Sequence, residues 1–238
     1  MTITVRDLAK MIDHSLLHPT ITDEALRAGC ELALKYDVAS VCVKPYSVAS
    51  ASSMLKNSTV KVGSVIGFPH GNSTIAIKEI ETTQACLDGA VEIDMVINIG
   101  KALGGDWEYI RNEIRTINNA AILKGAILKV IFENDYLDNT TIVKLCEICN
   151  ELSVAFVKTS TGYGFVKQNN GMYSYRGATP EHLRLMRKVT DKTIEVKAAG
   201  GIRALKELLF VRSLGVTRIG ATTTAAIQIG RASCRERV

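Results

Sequence analysis

Short β-branched and apolar runs alternate with longer stretches of helical apolar spacing along almost the whole chain, eight times over. This alternation restricts the fold more than any other feature. Strand–helix units in series pair their strands in parallel, and a parallel sheet needs helices to cover it. The strand runs fall at 11–13, 40–43, 61–66, 92–97, 127–132, 155–158, 193–197 and 218–219. Helical patterns follow at 22–35, 47–55, 73–88, 106–124, 139–152, 179–188, 204–213 and 222–228. Cap signals mark three of the starts: Thr22 before Asp-Glu, Ser73 after Gly-Asn, and Thr179 before Pro180. Eight units without a break in composition predict one α/β domain, a (β/α)8 TIM barrel over 1–230. The open doubly wound alternative would carry a Gly-x-Gly-x-x-Gly turn after its first strand, and this sequence has none there. The last eight residues, 231–238, leave the apolar pattern and read as a non-native or disordered tail.

Hydrophobic residues make up 47% and charged residues 22%, enough apolar material for a large core and too much for a disordered chain. No uncharged apolar run reaches ~18 residues and the N-terminus lacks a signal-like stretch, so a soluble, cytoplasmic protein without a membrane partner is expected. The six cysteines are irregularly spaced, as reduced thiols are. Cys146 and Cys149 form a C-x-x-C, but their neighbours have helical apolar spacing, which suits packing better than zinc or redox chemistry. The net charge of +5 is spread along the chain and not blocked into basic patches. It suits a small anionic substrate and gives no sign of nucleic-acid binding. His14, His18 and His70 lack partners at metal-ligand spacing and read as rim or loop residues, and His182 as a solvated helix face. No metal is expected.

In such a barrel the C-terminal ends of all strands meet on one rim, where the chemistry sits. That rim would receive Asp13, Cys42, Lys44, Gly67, Asp94, Asn98, Glu133, Lys158, Lys197 and Gly220. Lys158 and Lys197 stand out, since an ammonium at the end of an apolar strand runs against burial. A lysine amine attacks a carbonyl only when neutral, and at an ordinary pKa of ~10.4 about one in a thousand is neutral near pH 7.4. A second ammonium close by, with desolvation, lowers that pKa and activates the amine. The alternative is that both lysines are ion-paired with Glu92, Asp94 or Glu133. Glu92 and Asp94 share one face of their strand, so two carboxylates point inward beside the lysines. Gly162, Gly200, Gly201 and the Gly220-Ala-Thr-Thr-Thr run follow the sixth, seventh and eighth strands, where barrels often bind phosphate. Each glycine alone could equally serve a tight turn. Together, two lysines and a phosphate cradle suggest a sugar-phosphate aldolase of the imine-forming class.

The motifs Ile12-Asp-His-Ser-Leu-Leu17, Glu92-Ile-Asp-Met-Val-Ile-Asn98, Val157-Lys-Thr-Ser-Thr-Gly162, Val196-Lys-Ala-Ala-Gly-Gly-Ile-Arg203 and Arg218-Ile-Gly-Ala-Thr-Thr223 resemble, in order and spacing, the 2-deoxyribose-5-phosphate aldolase family. The resemblance spans about residues 8 to 230. It implies a barrel that reversibly cleaves 2-deoxy-D-ribose 5-phosphate to D-glyceraldehyde 3-phosphate and acetaldehyde, without metal or organic cofactor, in deoxynucleoside catabolism. Carried over by motif, Lys158 is the Schiff-base nucleophile, Lys197 the neighbour that lowers its pKa, and Asp94 the proton donor and acceptor. Asp13 and Ser15 support the lysines. The phosphate candidates are Gly162, Gly200, Gly201, Arg203, Gly220, Thr222 and Thr223. A homo-oligomer is a possible assembly. Where some members carry a lysine after Ser-Thr-Gly this chain has Tyr163, and a Ser-Ser pair after the eighth strand is Thr222-Thr223. No C-terminal catalytic residue is assigned.

Residues 164–177 are long for a connecting loop, and Asn170-Gly171 predicts a hairpin with a type I′ turn. It either covers the phosphate, with Lys167 or Arg176 replacing the missing lysine, or is a surface or subunit-contact hairpin. Cys42 falls where some family members carry a reactive thiol, and a buried core cysteine is the alternative. Two rival functions stay open: another imine-forming aldolase or transaldolase on the same barrel, and a phosphate-binding barrel without catalysis.

Overall fold

The computed structural model describes residues 3–229. Its eight parallel strands close into a barrel: β1 (Ile12–Leu16), β2 (Ser40–Val43), β3 (Lys61–Ile66), β4 (Glu92–Val96), β5 (Ile127–Ile131), β6 (Phe156–Lys158), and, beyond a two-stranded hairpin β7 (Val166–Lys167) and β8 (Tyr173–Ser174), β9 (Glu195–Ala199) and β10 (Arg218–Ala221). Closure comes from β1 against β10, with Ile12 opposite Ile219 and Asp13 opposite Gly220. The helices are α1 (Val5–Ala9), α2 (Asp23–Tyr36), α3 (Val48–Met54), α4 (Ile75–Leu87), α5 (Ile99–Leu103), α6 (Trp107–Leu123), α7 (Asn139–Glu151), α8 (Pro180–Val189), α9 (Leu205–Ser213) and α10 (Thr224–Ile229). None among the described residues is long and apolar enough to cross a membrane.

The strand pattern explains where the core lies. Ile12, Ile93, Met95, Leu128, Val130, Val157, Val196, Ala198 and Ile219 alternate with charged residues and all belong to one continuous apolar cluster shared with the helices. Because side chains along a strand alternate in direction, Asp13, Glu92, Asp94, Lys129, Lys158, Lys197 and Arg218 turn to the opposite face, into the barrel. The helix starts are fixed by side-chain oxygens: Thr22, Asp106, Asp138 and Thr179 each accept the amide three residues on.

Several expectations shift. β1 continues to Leu16 because Ser15 and Leu16 still pair with Cys42 and Val43. The cap of α4 is Thr74, which accepts Ile77 N at 3.4 Å, and not Ser73. Two short helices were not expected: α1, closed by a reciprocal Thr4–Asp7 box, and α5, capped by Asn98. Five residues are too few for a helical period to register. The hairpin exists, but its turn is not type I′. Gly171 N bonds Gln168 O at 2.9 Å and Gln168 N bonds Met172 O at 2.7 Å, with Gly171 alone at positive φ (+80°). This is a three-residue loop with glycine in the left-handed position. The tail 231–238 lies outside the described residues.

Candidate active site

Six strands contribute to one buried ionic cluster inside the barrel. Lys129 Nζ lies 2.9 Å from Asp13 Oδ2, 2.6 Å from Glu92 Oε2 and 3.2 Å from Asp94 Oδ1, the last contact ionic without hydrogen-bond geometry. Lys197 Nζ lies 2.5 Å from Asp13 Oδ2 and 2.7 Å from Asp94 Oδ2. Lys158 Nζ donates to the same Asp94 Oδ2 at 2.7 Å. Arg218 closes the lower end on Asp13 and Glu92, and Ser40 Oγ donates to Asp13 at 2.6 Å. The cluster therefore lies below the rim: Asp13 and Asp94 are fully buried, which corrects their placement at the strand ends.

Three carboxylates face four cations here. Charge balance inside a low-dielectric interior favours removing one proton, and the surroundings select Lys158. Burial lowers its pKa, with the Lys197 ammonium acting in the same direction and Asp94, its one carboxylate partner, opposing. Lys197 also suffers from burial, but Asp13 and Asp94 outweigh it and hold its pKa above the ordinary value. Lys129, among Asp13, Asp94 and Glu92, is held well above. The same cations hold Asp13 and Asp94 far below the carboxylate range despite their burial.

Above the cluster opens a cavity of about 460 Å³. Of the four cluster cations only Lys158 lines it, together with Ser15, Thr161, Gly162, Tyr163, Gly200, Gly201, Arg203, Gly220 and Thr222. Gly162 (φ +88°) and Gly201 (φ +92°) have left-handed backbones, and an added Cβ would meet no atom within 4 Å, so both turns are glycine-dependent and border open space. Gly220 leaves a gap beside Ser15 Oγ and Lys197 Cε, at 3.6 and 3.7 Å from an added Cβ.

Other expected residues do not join the site. Thr223 is absent from the lining; its hydroxyl donates to Arg203 O at 3.2 Å. Lys167 and Arg176 are exposed and absent from the cavity lining, to which the hairpin instead contributes Phe165 and Tyr175, packed edge to face. Cys42 packs with Leu17 and Val65 off the lining, and burial pushes its thiol up to about 11, as befits a core cysteine. Cys146 and Cys149 are buried on α7, Cys146 pushed up to about 12. His14 is buried, not a loop residue, with Nδ1 2.9 Å from Thr224 Oγ1. His182 is half-buried, with Nδ1 enclosed and unpartnered among the described residues, so its face is not solvated as expected. Lys129 and Arg218 were not singled out in the sequence, although Lys129 stands between Leu128 and Val130, the same anomaly that marked Lys158.

Residues 8–236 match the model of the DeoC/LacD family aldolases. The chain belongs to the DeoC/LacD aldolase family. A deoxyribose-phosphate aldolase of Rhodopirellula baltica is 48% identical over 219 residues, covering 92% of this chain and 87% of that one. Among solved structures, a putative deoxyribose-phosphate aldolase from Coccidioides immitis superposes with a TM-score of 0.88 at 31% identity, covering 98% of this chain and 88% of its own. The tetrameric deoxyribose phosphate aldolase of Aeropyrum pernix gives 0.86 at 28% identity, covering 97% and 93%. This aldolase chain thus shares both the barrel and most of its length with those proteins.

Proposed function

We propose that this aldolase reversibly cleaves 2-deoxy-D-ribose 5-phosphate to D-glyceraldehyde 3-phosphate and acetaldehyde through an imine on Lys158. One observation carries the reading: Lys158 is the only cluster cation that reaches the cavity, and it is the one whose pKa is lowered. Neutral Lys158 attacks the aldehyde carbon of the open-chain sugar, and loss of water leaves an iminium that withdraws electrons from the C2–C3 bond. The C3 hydroxyl loses its proton, that bond breaks, and glyceraldehyde 3-phosphate departs. The two-carbon fragment remains as an enamine, is protonated on C2, and is hydrolysed to acetaldehyde with return of the free amine. Asp94, touching both lysines through one oxygen, carries the protons; Lys197 stays charged beside Lys158, with Asp13 holding it in place. Gly162, Gly200, Gly201, Arg203, Gly220 and Thr222 hold the phosphate.

The reading includes a place in deoxynucleoside catabolism and in the cytoplasm; five free cysteines among the described residues support a reducing compartment. It includes a homo-oligomer, supported by the tetrameric relative and by Ile77, Ile80 and Leu87 exposed along one side of α4. Borohydride reduction in the presence of deoxyribose 5-phosphate should leave a two-carbon adduct on Lys158, read by peptide mass. A three-carbon adduct, or full retro-aldol activity in Lys158→Ala, would sink the proposal.

A further inference from the structure

The Glu133 carboxylate stays out of the ionic cluster, yet it is buried at the edge of the cavity. It lies two residues beyond the end of β5, 1% exposed, with a left-handed backbone (φ +60°, ψ 62°) that a residue with a side chain rarely adopts. Burial pushes its carboxyl up to about 7 even though Thr161 donates to it. Such a position is unfavourable for the backbone and for the charge, so what the carboxylate holds is informative.

It holds the turn after β6. Thr161 N donates to both oxygens, at 3.1 and 3.2 Å, and the Thr161 hydroxyl donates to Oε2. The same hydroxyl oxygen accepts Tyr163 N at 2.9 Å. A two-link chain therefore runs from Glu133 through Thr161 to the backbone of Tyr163 and spans Gly162. Neighbouring contacts extend the grip: Asn134 N donates to Thr159 O at 2.9 Å and Tyr136 Oη to Phe165 O at 3.1 Å. At Gly164 an added Cβ would come within 2.6 Å of the Glu133 carboxyl carbon, so the turn is moulded directly onto this side chain. Thr161, Gly162 and Tyr163 line the cavity, and Glu133 does not.

We propose that Glu133 is a positioning residue for the anion-binding side of the site: by taking both donors of Thr161 it fixes the Thr161–Gly162–Tyr163 turn against which the substrate phosphate is held, without touching substrate. The proposal rests on the phosphorylated-sugar reading above. A part confined to the phosphate end separates it from a general structural role, which would affect all substrates alike.

Glu133→Gln keeps the shape but replaces one of the two oxygens that accept Thr161 N with an NH2 donor and removes the negative charge from the acceptor of the Thr161 hydroxyl. In this variant KM for deoxyribose 5-phosphate should rise about 10-fold with kcat within about 3-fold, as expected for losing a hydrogen bond to a charged acceptor. The ratio of kcat/KM for deoxyribose 5-phosphate to that for unphosphorylated deoxyribose should fall about 10-fold, and competitive inhibition by inorganic phosphate should weaken to match. Thr161→Val, which removes the middle link, should lower the same ratio, and combining the two should add little because they act in one chain. This second variant keeps the test decisive if Glu133→Gln folds poorly. An unchanged ratio, whether both substrates suffer equally or neither does, would overturn the proposal; so would a fall in kcat with KM unmoved, which would make Glu133 a proton-transfer group. Failure of the parent enzyme to form the Lys158 adduct would instead remove the underlying reading, and borohydride trapping reports that separately.

Discussion

Lys129 never reaches the cavity, but it decides which of its neighbours can be neutral. With it, the buried cluster holds one cation more than it has carboxylates, and Lys158 is the cation whose pKa falls. Lys129→Met would leave three carboxylates facing Lys158, Lys197 and Arg218, so the cluster would now favour a charged Lys158. The rate of imine formation with acetaldehyde should fall at neutral pH and recover as pH rises, displacing the ascending, acid-side limb of the pH–rate profile to higher pH. Removing one partner of a buried ionic set also destabilises, by about 3–5 kcal/mol, which thermal or urea unfolding would read. An unshifted profile would show that charge balance does not set the Lys158 pKa. The two end-of-strand lysines were legible because a lysine after apolar residues is anomalous on its own. Lys129 carried the same anomaly at mid-strand, but its importance depends on Asp13, Glu92 and Asp94 from two other strands, and no local pattern reports contacts 37 or 116 residues apart.

At the scale of elements, the barrel strands were readable because strand and helix periods differ, and β2 and β3 fall where expected, at Ser40–Val43 and Lys61–Ile66. Asn-Gly signals a tight turn, but it does not fix which turn forms, and the hairpin stem's inward residues turned out to be aromatic and not cationic. Its far end is held by backbone contact: Gly177 (φ +67°) approaches so closely that an added Cβ would lie 2.7 Å from Gly200 O. Gly177→Ala therefore has to displace Gly200, one of the proposed phosphate turns. Gly171 (φ +80°), at the hairpin tip, has the same backbone handedness and open space around it. Both alanine variants should lose about 1–2 kcal/mol from the unfavourable φ. Only Gly177→Ala should also raise KM for the phosphorylated sugar, and equal kinetics in the two variants would show that the hairpin base does not shape the cavity.

Over the whole molecule, two buried groups on opposite sides of the site pull the pH dependence of stability in opposite directions. His14 is lowered by burial from 6.5 to about 4. Above pH 6.5 it is neutral folded and unfolded; between 6.5 and 4 only the unfolded chain takes the proton, so stability falls on acidification, by about 3 kcal/mol in full. Glu133 is raised by burial from 4.5 to about 7. Between pH 7 and 4.5 only the folded chain holds that proton, so stability rises on acidification by a similar amount, about 3 kcal/mol. The parent protein should show a nearly level urea midpoint from pH 7 to 4.5. It should then decline steeply below 3.8, where the unfolded chain binds protons that Asp13 and Asp94, held far below that value, refuse. His14→Gln, which can keep a bond to Thr224, removes one side of the balance, so the variant should become more stable as pH falls from 7 to 5. Glu133→Gln removes the other and should become less stable over the same interval. Parallel curves for the two variants would mean that neither group titrates in the folded protein as its burial dictates. Divergence of opposite sign would establish that the level midpoint arises from two compensating buried groups.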